Sequence, residues 1–163
     1  MNDQIILPDQ YITVRQQNNA PTTTVLTIGA VPTWPAQIPL YALAGGQQDN
    51  FIGVSRPATQ ALTDLGLTNN NNGNGFLISG GVTSGTRKDQ LLTFNVGSPQ
   101  GINQSASAAY YLVAQTAGNS GWRIVGGGST DVGTNTIPAG TGIIIRKYQT
   151  NLTTVVWTEL PNY

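Results

Sequence analysis

Neither histidine nor cysteine occurs among the 163 residues. Chemistry at neutral pH usually recruits imidazole or thiolate, so a Ser-His-Asp triad, a Cys-His pair and ordinary zinc or haem sites are excluded together. Charge is also scarce, with 9% Asp, Glu, Lys and Arg against about 25% in a typical chain. Seven acids balance seven bases, for a formal net charge of zero. Long apolar runs are missing as well: none approaches the roughly 18 residues of a membrane span, and Met1 is not followed by a basic and then apolar leader. The absence of cysteine suits the extracellular space and does not exclude the cytosol.

The seven bases are scattered, which disfavours nucleic acid as a partner, because phosphate binding needs clustered Lys and Arg to release counterions. The only adjacent pairs, Arg87-Lys88 and Arg146-Lys147, are expected to be solvated strand ends or turns. The solubilising surface must therefore be made of neutral amides and hydroxyls. Weak mutual repulsion favours association of identical molecules, so a homo-oligomer or polymer is expected. Sequons at Asn103 and Asn151 are chance matches in so Asn- and Thr-rich a chain.

The length fits one domain able to bury a core without disulfide or metal staples. Residues 1–20 form a separate arm in this reading, with Tyr11, Ile12, Thr13, Val14 and Arg15 alternating as a strand. That strand docks either on its own sheet or, as an exchanged arm, on a neighbouring subunit. Residues 21–163 form a single β domain. Short β-rich runs at 24–28, 38–43 and 51–54 are separated by Pro32, Pro35, Pro39 and Gly45-Gly46, and proline confines such strands to edges, starts or bulges. One helix of about ten residues is predicted, with Ser55 as cap, Pro57 in the first turn, Leu62 and Leu65 on one face and Gly66 as the left-handed stop. An exposed Asn-Gly loop follows at 69–75.

The second half is more regular. Strands are predicted at 75–79, 90–96, 108–115, 122–125, 142–148 and 153–158, at the spacing of an all-β sandwich or barrel. Ile143-Ile144-Ile145 is apolar on both faces and marks a central strand. The fold class is therefore all-β: an antiparallel sandwich or partly open barrel with one short helix and an N-terminal strand or arm.

Residues 88–95 (KDQLLTFN), 101–105 (GINQS), Tyr110-Tyr111, 121–126 (GWRIVG) and 137–146 (IPAGTGIIIR), with the closing 157–163, carry a resemblance. In order and spacing they resemble the C-terminal region of a family of secreted bacterial proteins that often bear a PEP-CTERM sorting tail. The resemblance covers about half of the chain, with 51–67 in addition, and implies export and a surface or matrix role. It supplies no activity, substrate or functional residue. The chain shows neither the family's leader nor its sorting tail, as expected of a mature or trimmed chain or of a domain carried in a virion protein.

Candidate chemistry is thin. Gly126 to Asp131 (GGGSTD) lacks the Lys of a P-loop and a following helix, and reads as a hairpin loop. Gly81 to Gly85 (GVTSG) resembles a nucleophile elbow only loosely and has no histidine to serve its serine. A Ca²⁺ site at Asp131 would need more oxygen donors than Thr130, Thr134 and Asn135 promise, so no metal and no cofactor is assigned. Trp34, Tyr110, Tyr111 and Trp122 are candidate stacking platforms for a glycan, although such rings more often bury their area in a core. Adjacent strand residues face opposite ways, so one of Tyr110 and Tyr111 should point outward. The expectation is a non-enzymatic structural subunit of an extracellular, cell-surface or virion assembly. The alternatives are a carbohydrate-binding module and a histidine-free glycosidase using two of the acids Asp3, Asp9, Asp49, Asp64, Asp89, Asp131 and Glu159.

Overall fold

The computed structural model describes residues 33–53, 58–67, 75–94, 105–148 and 155–160. The arm with Tyr11, Ile12, Thr13, Val14 and Arg15, the run at 24–28, the cap positions Ser55 and Pro57, and most of the Asn-Gly loop lie outside the described residues. Within them the chain is all-β. Five strands, β2 (Gln48–Gly53), β4 (Gln90–Thr93), β5 (Ala108–Leu112), β6 (Trp122–Ile124) and β8 (Gly142–Lys147), form one antiparallel sheet in the order β2-β8-β4-β5-β6. A ribbon joins β1 (Ala36–Leu40) to β9 (Val155–Glu159), and a short bridge joins β3 (Gln60–Ala61) to β7 (Thr136–Ile137).

β8 is central because its β-branched triplet suits a strand with neighbours on both edges. Ile143 and Ile145 face the core, and β2 and β4 flank them in register: Ile52 and Asn50 on one side, Thr93 and Leu91 on the other. Continuing that row across the sheet, Tyr110 and Leu112 of β5 meet Ile124 and Trp122 of β6. The ribbon supplies Ile38, Leu40 and Trp157 to the same core, and Phe76 packs its ring 5.6 Å from that of Trp122. Asn50 is a buried polar member of this layer. Its amide bridges Tyr41 and the carbonyl of Ile145, which ties the exit of β1 to the central strand.

Three local expectations are corrected. The predicted ten-residue helix is a single 3-10 turn, Leu62–Leu65, because residues 60–61 pair with β7 and the amides of Leu62 and Thr63 donate to Asn135 and Gly133 rather than along a helix. Its stop is as read: Gly66 has φ +67°, and a Cβ there would meet the carbonyl of Thr158 at 3.0 Å. The predicted strand at 75–79 forms no ladder among the described residues beyond a parallel bridge from Ser79 to Val113. Tyr110 and Tyr111 point to opposite faces and both are buried, because residues 79–88 fold over the second face. There the Tyr111 hydroxyl donates to the carbonyl of Val82, and the Arg87 guanidinium sits 5.3 Å from the ring.

Candidate functional site

Among the described residues, Trp34, Tyr41, Leu43, Val156 and Leu160 are large apolar side chains exposed on or beside the β1–β9 ribbon, with Phe51, Val82 and Val125 exposed elsewhere. Alternation along each strand sends Ile38, Leu40, Trp157 and Glu159 inward, so Pro39 and its register partner Val156 face out together. Val156 is 42% exposed. Beyond the paired residues, Trp34 and Leu160 are exposed at one end of the ribbon, and Tyr41 and Leu43 follow the other end of β1. Extending the register places Leu160 opposite Pro35, next to Trp34. Among the described residues β1 and β9 pair only with each other. The ribbon's outer face carries the apolar pair Pro39 and Val156 and, next along the strands, the polar pair Gln37 and Thr158.

The aromatic candidates divide sharply. Trp34 is 67% exposed, whereas Trp122 and Tyr111 are almost fully buried and Tyr110 keeps 9%. Three of the four rings expected to stack a glycan therefore belong to the interior, because their large faces are covered by Phe76, the sheet and residues 79–88. Elsewhere, Phe94, Ile137 and Pro138 with the hydroxyl-bearing Thr93, Thr136 and Thr141 line an open cleft of about 300 Å³ that holds no charged side chain.

Asp49, Asp131 and Asp89 are each engaged by their own donors. Asp49 accepts two hydrogen bonds from Arg146 across the β2–β8 pair, at 2.7 and 2.9 Å, and those bonds hold its carboxyl below the usual carboxylate range. Asp131 is lowered first by the Ser120 hydroxyl and then by the Ser120 amide; it also accepts from the Gly133 amide and lies 3.7 Å from Arg123. It knots two loops, and its oxygens face donors rather than further oxygen ligands. Among the described residues no cluster of three or more acids could hold a metal ion. The Gly126 to Asp131 stretch is an exposed turn, with Gly126 at φ +87° and Gly128 at φ +67°.

Asp89 and Lys147 form the most enclosed polar pair. Their side chains are 0% and 3% exposed, and Lys147 Nζ contacts both Asp89 Oδ2 and the carbonyl of Gly75. Backbone amides complete the carboxylate: Leu77 donates to Oδ2 at 2.8 Å and Tyr148 to Oδ1 at 2.7 Å. Burial pushes the Asp89 carboxyl above its ordinary range, and Lys147 with the two amides pulls it part of the way back. The expectation that Arg146-Lys147 is a solvated pair fails at Lys147. Period two could have located it, since Lys147 follows Ile143 and Ile145 onto the inward face of β8.

Searches against protein families, curated proteins and solved structures return no match to this chain.

Proposed function

We propose that this chain is a non-enzymatic structural subunit that self-associates through the outer face and edges of its β1–β9 ribbon. The observation that carries the reading is the pair Pro39 and Val156 on the side of the ribbon away from the core, with Leu160 further along that side and Trp34 exposed at the same end as Leu160. Removing that apolar surface from water is favourable in proportion to its area, and little charge on the rest of the chain opposes contact between copies. The state of the acids agrees with a structural role: Asp49, Asp89 and Asp131 each hold a cation or backbone donors in place. Glycan binding would be favoured by a row of solvent-facing Trp and Tyr, which among the described residues reduces to Trp34 and Tyr41. An extracellular, cell-surface or virion setting follows from the resemblance to secreted bacterial proteins and from assembly itself.

Electron microscopy of the purified chain over a concentration series tests the proposal. Regular particles or filaments that grow with concentration support it; dispersed single domains throughout count against it.

A further inference from the structure

We propose that Lys147 and Asp89 condense to an intramolecular amide, a covalent cross-link between the central strand β8 and the start of β4. Strand pairing aligns them: Gln90 is in register with Arg146, so Asp89 stands opposite Lys147 on the inward face. The amine and the carboxyl are held in contact and away from water, where a fixed pair of reactants reacts as if at very high concentration. This inference stands independently of the assembly reading.

The surroundings supply what the reaction requires. Tyr148 N–H, 2.7 Å from Oδ1, is placed to stabilise the negative charge that gathers on that oxygen when the carbon is attacked. Leu77 N–H, 2.8 Å from Oδ2, polarises the oxygen that departs. The carbonyl of Gly75 accepts a proton of Nζ and holds the nitrogen over the carboxyl. Proton transfer within a buried ion pair replaces two charges by two neutral groups, which a low-dielectric interior favours. The raised carboxyl of Asp89 reflects that pressure.

The step balances within the pair. One proton passes from the Lys147 ammonium to Oδ2, and the freed nitrogen lone pair then forms the bond to Cγ. A second proton follows from nitrogen to the same oxygen, the Cγ–Oδ2 bond breaks, and one water leaves. The third proton stays on the amide nitrogen, facing Gly75, and Oδ1 becomes a carbonyl that accepts from Tyr148. No oxidant or cofactor is consumed. The product leaves two neutral, hydrogen-bonded groups where two charges had been buried, which is cheaper in a low-dielectric core. It also closes a loop across a separation of 58 residues and so restricts the unfolded chain.

Intact mass spectrometry of the full chain, denatured after folding and ageing, is the test. The expected mass lies about 18 Da below that of the sequence, one water lost by condensation of amine with carboxyl. Proteolytic mapping should find a branched peptide joining the segments that contain Asp89 and Lys147, and Lys147→Arg and Asp89→Ala should each return to full mass. A wild-type chain that is folded yet keeps its full mass, or a deficit that survives either substitution, overturns the proposal and leaves an ion pair only.

Discussion

The indole N–H of Trp157 donates to the carbonyl of Leu65 across 2.6 Å, fastening the β1–β9 ribbon to the end of the 3-10 turn. Both residues are almost completely buried, so this carbonyl has no water to fall back on. Trp157→Phe keeps most of the apolar area but orphans the acceptor. The expected cost is about 1–3 kcal/mol for an unsatisfied buried group, read as a lower midpoint in urea unfolding. An unchanged midpoint would show that the ribbon is not anchored through this bond.

The knot at Asp131 makes a prediction about acid. Its carboxyl is lowered in the folded chain, principally by the Ser120 hydroxyl, so the folded state holds the deprotonated form more tightly than the unfolded state does. That contribution is fully present above the unfolded carboxylate value of about 3.9 and disappears as pH falls through the lower folded value. Thermal unfolding of Asp131→Asn beside the wild type should therefore show a gap at pH 7 that narrows in acid. A gap that widens in acid would reverse the assigned sign.

What was legible in the sequence was the alternation. Residues 90–93, 108–112, 122–124 and 142–147 form strands where β-branched and aromatic runs had placed them, and Ile143 to Ile145 lies on an interior strand of the main sheet, paired on both edges, as their two-sided apolarity required. Local signals failed where partners came from far along the chain. The helix suggested by Leu62, Leu65 and Gly66 had a correct stop, but the amides of its first turn are taken by Gly133 and Asn135. Three of the four rings expected as glycan platforms are interior for a related reason. Tyr111 was expected to be one of two adjacent rings with a chance of facing water, and nothing local announced that residues 79–88 would cross over it. Asp89 had appeared as one of seven scattered acids, and only the register of β4 with β8 brings it to Lys147.

We propose that the N-terminal segment helps copies meet. The sequence from Tyr11 to Arg15 has the alternation of a strand, and a strand added to an open edge satisfies backbone donors otherwise left to water. Deleting residues 1–20 is expected to leave a domain with a cooperative unfolding transition that no longer assembles. Circular dichroism and light scattering on the truncated chain check both halves. Loss of folding would instead assign the strand to the domain's own core.

Sedimentation velocity on the wild type and on Val156→Lys, over a concentration series at low and high salt, tests the central claim that the ribbon joins copies through apolar contact. Val156 faces outward beside Pro39, so a lysine there places charge in the contact without touching the core. The account predicts wild-type species that grow with concentration and change little with salt, because apolar contacts are not screened as ion pairs are, and a Val156→Lys chain shifted towards monomer. A wild type that sediments as a monomer at every concentration and ionic strength would contradict it.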